Sequence, residues 1–392
     1  MKYIESKLEN GRATIYLIGN VDSSNAAAVE AEVNEAKGDA KSVTVDCDRL
    51  NYISSAGLRI ILRLKKAIGD TELINVSSDV YEVFEMTGFT EMMDIKKAFR
   101  KISVEGCDVI GTGANGKVYR IDPDTIVKVY YNGDALEEIN RERELARTAF
   151  VLGVPTAIPY DVVQVEGGYY GSVFELLSAK SYQDYLLSGE KTPEEIARMG
   201  VEVLRTVHAT ELTKGSLPRM DKLCLERAEN IAKYLDKESA DKFIALAKAL
   251  EPDFHMLHGD FHIKNVMVQN GESLLIDMDT LAVGDPVFEF AGIYLAYIGY
   301  AELDKNNPKE FFKLDYSVTS KLWEETFRDY FAGKPEDVLE RNLNRIMLIA
   351  NGRMIRHSAK HIDEEEIERA RFERAVQNVT ELLKKVDSLP LE

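Results

Sequence analysis

The chain has 392 residues, 45% hydrophobic and 30% charged, the balance of a folded globular protein and not of a disordered or membrane-embedded one; that length exceeds what one core supports, so two or more domains are expected. Lysine and arginine number 49 against 67 acidic side chains, a formal charge of −18 that repels phosphate backbones and anionic lipid and so argues against nucleic acid and membrane surfaces as partners. Cys47, Cys107 and Cys224 are widely spaced with no CxxC pair, which suits buried thiols in a reducing compartment better than a disulfide framework or a zinc site.

The opening MKYIESKLENG lacks the apolar core of a signal peptide, and the longest apolar run, FAGIYLAYIGY at 290–300, is too short to span a bilayer, so a cytoplasmic protein is expected. The strands KYIESKLE and ATIYLIG precede a helix AAAVEAEVNEAKG that ends at Gly38. The strand SVTVDC, the helix AGLRIILRLKKAIG, the strand TELINVS and the helix DVYEVFEMTGF follow. Strands interleaved with helices imply a sheet covered by helices on at least one face.

Within DRLNYISSAGLRIILRLKK, which starts at Asp48, the residues Ser54, Ser55 and Gly57 fall on the turn that opens a helix. Unpaired N–H groups and the helix dipole favour a negative group there; a plain serine N-cap is the structural alternative. The pattern over the first 100 residues, including MTGF at 86–89, resembles the STAS domain of anti-sigma factor antagonists. Alignment on Gly57-Leu58 puts that family's phosphorylatable serine at Ser55, with Ser54 standing where the family commonly has Asp. The resemblance thus implies a regulatory phosphosite and a protein partner, since phosphorylation adds about −1.5 to −2 charges at the helix start.

No Pro/Gly-rich linker follows; the register restarts near Lys101 with KISVEGCDVIGTGANGKVYRI, short strands and turns that suggest an antiparallel β lobe. In GTGANGKVY at 111–119, Gly111, Gly113 and Gly116 let backbone N–H groups approach phosphate oxygens, although KVYRI is strand-like and opens no Rossmann helix. The next strand, DTIVKVYY, carries Lys128 among apolar residues, where an ammonium is costly unless it meets an anion. A helix from about 135 to 150 offers Glu144 as its partner, with Glu142 competing. From about 180 the periodicity is mainly helical, and EEEIERARFERAVQNVTELLKKV is a long charged amphipathic helix.

HGDFHIKN at 258–265 is followed by VMVQNGESLLID, in which Asn270-Gly271 between two apolar runs signals a hairpin. Pairing about that turn sets residue 265 opposite about 276, so Asn265 and Asp277 meet at its open end. With Asp260 five residues earlier, these oxygens suit a hard cation such as magnesium, which shares its remaining positions with water and phosphate. Zinc fits less well: His258 and His262 are four apart but no HExxH occurs, and Gly259 and Phe261 suit a tight loop.

Residues from about 101 onward resemble the aminoglycoside phosphotransferase and choline kinase branch of the protein-kinase-like fold. The resemblance is carried by GTGANGKVY, IVKVYY, RERELARTAFVLGVP, HGDFHIKN, IDMD and the GDP at 284–286. Together with the STAS resemblance of the first 100 residues, it implies an α/β STAS domain at 1–100 and an α+β bilobal kinase-like domain at 101–392, with an antiparallel β lobe to about 177 and a helical lobe beyond. It also implies that FELL at 174–177 is the hinge whose backbone reads adenine through Glu175 and Leu177. Asp260 would take the proton of an acceptor hydroxyl, Asn265 and Asp277 would hold magnesium, and Lys128, braced by Glu144, would grip the α/β phosphates of ATP. Lys264 stands beside Asn265 where many relatives have a small residue, and Asp279 is read as a structural acid or a second metal neighbour.

The expected activity is ATP- and magnesium-dependent transfer to a hydroxyl of a small molecule, with the STAS domain regulating or docking. The acidic balance tolerates a cationic acceptor such as an amino sugar or choline. The competing expectation is a signalling protein whose kinase-like domain modifies Ser55 or a partner, or only senses nucleotide.

Overall fold

A computed structural model describes residues 2–113, 115–133, 135–177, 179–212 and 217–392. Two compact units result, Met1–Ser103 with Val162–Gly167, and Val104–Asp161 with Gly168–Glu392.

The first unit is an α/β sandwich of one mixed sheet and its covering helices. Strands β1 (Ile4–Glu9), β2 (Arg12–Val21), β3 (Ser42–Ile53), β4 (Asp70–Val76) and β5 (Asp94–Lys97) lie in the order β1-β2-β3-β4-β5. The first pair is antiparallel and the others parallel, as helical crossovers require. Those crossovers include α1 (Ala26–Lys37), α2 (Ser55–Ala67) and α3 (Ser78–Met86). Ile15, Val43, Val45 and Leu73 are fully buried with Ile61 and Leu64 of α2. β3 runs six residues past the expected end at Cys47. Two register shifts against β2 absorb the irregularity, and pairing resumes from Ile18↔Arg49 to Val21↔Ile53, burying Leu50 and Ile53. A short strand β6 (Arg100–Ile102) pairs in parallel with Val163–Val165.

The second unit opens with β7 (Asp108–Thr112), β8 (Gly116–Arg120) and β9 (Thr125–Tyr130), then α4 (Leu136–Val151), the first three residues of β10 (Pro159–Val165), whose remainder belongs to the first unit, and β11 (Tyr169–Glu175). Antiparallel ladders join β7 to β8, β8 to β9 and β9 to β11. Its helices are α5 (Tyr182–Ser188), α6 (Pro193–His208), α7 (Met220–Ile231), α8 (Lys237–Lys248), α9 (Val287–Tyr297), α10 (Asn307–Phe312), α11 (Tyr316–Tyr330), α12 (Glu336–Ser358) and α13 (Glu366–Leu383). Short strands β12 (Lys180–Ser181), β13 (Met256–Leu257), β14 (Val266–Gln269), β15 (Glu272–Leu275) and β16 (Ala282–Val283) thread between them. This is the bilobal kinase-like arrangement. The apolar run at 290–300 forms most of α9, which is buried nearly all round, as a helix at the centre of a helical lobe must be. Among the described residues no helix is long and apolar enough to cross a membrane.

Candidate active site

The hairpin forms as its residues require. Asn270 and Gly271 both take positive φ, 53° and 85°, the geometry of a tight two-residue turn. Val266 then pairs with Leu275, and the Ile276 N–H donates to the Asn265 carbonyl at 3.0 Å. Asn265 is thereby opposite Ile276 and next to Asp277.

The HGD turn is built from the backbone outward. Gly259 has φ +87°, and a Cβ there would lie 2.4 Å from the Thr280 carbonyl oxygen, so only glycine fits. Glu289 of α9, 1% exposed, accepts the N–H groups of His258 at 2.6 Å and Gly259 at 3.0 Å. The buried His258 ring receives the Asp260 N–H on Nδ1 at 3.3 Å and contacts the Ile276 carbonyl through Nε2 at 3.1 Å. These partners assign a neutral imidazole with its proton on Nε2. One ring therefore ties the residue before Asp277 to Asp260. The Asp260 side chain stays half-exposed, and Asn265 Nδ2 donates to its carbonyl at 3.0 Å and its carboxylate at 3.2 Å. His262 Nε2 lies 3.6 Å from the same carboxylate.

Lys128 joins the two lobes. Its Nζ lies 2.9 Å from Glu142 Oε1, 3.2 Å from Oε2 and 2.9 Å from Asp277 Oδ1. Burial opposes the ammonium charge, but Glu142 and Asp277 outweigh it and hold the lysine pKa above its ordinary value. The expected brace Glu144 is corrected to Glu142. α4 points residue 142 into the core, where it also accepts the Tyr130 hydroxyl, whereas Glu144 is turned to solvent beside Arg143 and Arg147. Two residues along a helix are about 200° apart, so only one of the pair can face β9.

Asp277 adopts a left-handed backbone, φ 62° and ψ 64°, uncommon outside glycine. Asp279 has no hydrogen bond or ion pair among the described residues. Burial, then Asp277 and Glu142, push its carboxyl up to about 7. Among the described residues no three His, Cys, Asp or Glu side chains are grouped as a metal site. A cation here would need the Asn265 amide and substrate oxygens to complete its shell. The donor set fits such a hard ion: oxygen ligands only, in a cluster where, among the described residues, Lys128 is the one cation in ion-pair contact with Glu142 and Asp277.

The remaining expected residues are spread around this centre. Gly113 N–H donates to the Gly116 carbonyl at 2.9 Å, closing the turn; Ala114 at its tip lies outside the described residues. A Cβ on Gly116 would lie 2.2 Å from the Val129 carbonyl oxygen, so packing on β9 already demands this glycine. The Glu175 side chain accepts the Ile158 N–H at 2.9 Å, while the Leu177 N–H donates to no group among the described residues. Lys264 sits 4.4 Å from the Phe311 ring centroid, a cation–π contact. In the first unit Ser54 is the N-cap of α2, accepting the Ala56 N–H at 3.2 Å, and leaves Ser55 exposed at the first helical position.

Glu289, His258 as a tie, and Tyr130 were not identified from sequence. A lone acid inside the apolar run PVFEFAG was the available signal for Glu289, because a carboxylate is buried only where N–H donors or cations await it.

Residues 107–313 match the phosphotransferase enzyme family, and residues 3–102 match the STAS domain. The provisionally named anti-sigma factor antagonist BtrV of Bordetella bronchiseptica is 38% identical over 101 residues, 24% of this chain and 85% of that protein. Among solved structures, a thermostable mutant of aminoglycoside phosphotransferase APH(4)-Ia in a ternary complex with AMP-PNP and hygromycin B is 14% identical. It covers 72% of this chain and 94% of its own at a TM-score of 0.48. The gentamicin complex of APH(2")-IIa is 16% identical, covering 78% and 98% at a TM-score of 0.44.

Proposed function

The chain belongs to the phosphotransferase enzyme family and carries an N-terminal STAS domain; from that premise we propose that it transfers the γ-phosphoryl group of ATP to a hydroxyl of a small molecule. The supporting observation is the meeting of the Lys128–Glu142 pair with Asp277, next to a half-exposed Asp260 held by Asn265. Lys128 binds the α/β phosphates, released from Asp277 as the nucleotide enters. Asp260 orients the acceptor hydroxyl and accepts its proton while the oxygen bonds to phosphorus and the bridge to ADP breaks. Asn265 and Asp277 would hold magnesium, with Asp279 close by, and the ion would neutralise charge on the transferring oxygens. The Leu177 N–H and the Glu175 backbone face adenine in this reading, and the loop of Gly111, Gly113 and Gly116 covers the phosphates. Positioning and charge neutralisation provide the catalysis, with no covalent intermediate.

The test is ADP release from Mg-ATP across hydroxyl-bearing acceptors, with wild type and Asp260→Asn, alongside calorimetric ATP binding. Turnover in the variant is expected to fall by a factor on the order of 10² to 10⁴ while ATP affinity stays within about twofold. Equal turnover in both proteins would refute the assignment of Asp260.

A second reading rests on Ser55, exposed at the start of α2 beside a separate N-cap serine. There the STAS domain is the output, and the kinase-like domain modifies Ser55 or a protein partner. Intact mass after incubation with Mg-ATP separates the two readings: one phosphoryl increment in wild type, absent from both Ser55→Ala and Asp260→Asn, supports this one.

A further inference from the structure

An acidic chain of net charge −18 would be expected to pair its arginines, and in the second unit most are paired. Arg219 meets Asp221, Arg345 meets Glu392, Arg371 meets Glu368 and Arg374 meets Glu302. Several others are not; Arg141 and Arg198 among them are exposed to solvent, whereas Arg227 and Arg353 are partly buried. Among the described residues Arg227 of α7 and Arg356 of α12 have no hydrogen bond or ion pair, and Arg353 of α12 has one hydrogen bond, 3.5 Å to the Phe288 carbonyl. Arg353 and Arg356 are three apart and so share a helix face. Arg227 and Arg353 line one cavity with Cys224, Phe288, Ile349 and Gly352.

Arg353 lies beside the catalytic loop. A Cβ on Gly292 would be 3.1 Å from Arg353 Nη1 and 3.7 Å from the carbonyl oxygen of Gly259, the residue before Asp260. Glycine at 292 therefore leaves the guanidinium a place against that backbone. The charge of Arg353 acts on Asp260, Tyr300 and Glu289. Glu289 is already committed to the His258 and Gly259 N–H groups, and Asp260 to Asn265. Burial lowers the Arg353 pKa, and burial with repulsion from Arg356 and Arg353 pushes Arg227 down to about 10. Both groups carry a desolvation cost, and Asp260 and Glu289 relieve that of Arg353 only from a distance, since among the described residues neither arginine forms an ion pair with a carboxylate.

We infer that the acceptor is an anion: a hydroxyl compound bearing a carboxylate or phosphate group, which Arg353, Arg356 and Arg227 hold while Asp260 faces its hydroxyl. The inference rests on the phosphotransferase reading and narrows its substrate class. A guanidinium fork matches either oxyanion bidentately, and the same cluster repels a cationic amino sugar or choline.

The test uses the full-length protein saturated with Mg-ADP, which fills the nucleotide phosphate sites, titrated calorimetrically with inorganic phosphate, D-glycerate and choline. Arginine-dependent binding of phosphate identifies a phosphorylated acceptor, and of glycerate a carboxylate. Either is expected to weaken about tenfold or more in Arg353→Met and in Arg356→Glu. Arg356→Glu lies on an exposed helix surface, and Arg353→Lys keeps charge and bulk while losing the fork, so a folding defect in Arg353→Met leaves the question decidable. Binding of neither anion, equal binding in wild type and every variant, or binding of choline in preference to both would overturn the inference. Failure of Mg-ADP itself to bind would instead overturn the phosphotransferase reading beneath it.

Discussion

Replacing Glu142 by Gln removes one negative charge from a site where it has little access to water, since the Glu142 side chain is 4% exposed and Lys128 18%. The amide keeps the shape and one acceptor for the Tyr130 hydroxyl, but Lys128 is left with Asp277 alone. Charge-assisted hydrogen bonds contribute about 1.5–3 kcal/mol each, and truncating one partner of a buried pair costs about 3–5 kcal/mol. The isosteric change should therefore destabilise the second unit by about 2 kcal/mol. Glu144→Gln, on the solvent side of α4, should cost less than about 0.5 kcal/mol. Trp323 is the single tryptophan and lies buried in α11 of the same unit, so its fluorescence in urea reads this unit, analysed by linear extrapolation. The same variant should lower kcat/KM for Mg-ATP, because an unbraced lysine no longer presents its ammonium to the phosphates. If Glu144→Gln were as destabilising as Glu142→Gln, or neither moved the midpoint, the corrected brace and its electrostatic account would be refuted.

Asp285, half-buried and accepting the Val287 and Leu391 N–H groups, is pushed up to about 6, chiefly by desolvation. Its folded form binds the proton more tightly than its unfolded form, so stability should fall as pH rises from about 4 through 6. The gap from the ordinary 3.8 is worth about 3 kcal/mol. Asp285→Asn should flatten that part of the Trp323-detected stability profile, and an unchanged slope would contradict it. Gly57→Ala places a Cβ 2.6 Å from Ile53 Cγ1 and 2.9 Å from Val21 Cγ1. About 1–3 kcal/mol of overpacking should appear as faster amide hydrogen exchange in α2 and β2. Burial pushes the thiols of Cys47 and Cys224 up to about 12. Cys107 is less buried, so a thiol reagent near pH 8 should modify one cysteine in the native protein and three after denaturation. Ser55→Glu should leave α2 folded, since a negative charge in the first turn is favourable by about 0.3–1 kcal/mol, and should abolish binding of any partner that recognises the unmodified serine.

Local chemistry was enough for the elements and for much of the site. The Asn270-Gly271 turn set the register that puts Asn265 opposite Ile276, because a two-residue hairpin has one pairing. Strand and helix periods marked α1 to α3 and β1 to β4, since each period reflects burial of one face. What depends on residues distant in the chain was not legible. Two glutamates two apart on α4 are equivalent in composition, and only the direction of the helix against β9 made Glu142 the partner of Lys128. Glu289 meets His258 from 31 residues away, and Lys264 lies over the Phe311 ring, 47 positions on in the chain. Arg227 of α7 and Arg353 of α12 line one cavity only once the helical lobe has packed. Sequence by itself determined which chemistry the chain carries, because residue type and short-range spacing decide turns, helices and donor sets. Tertiary structure decided which charges are paired, because that depends on how helices and strands pack, from Glu142 on the next helix to Asp277, 149 residues from Lys128.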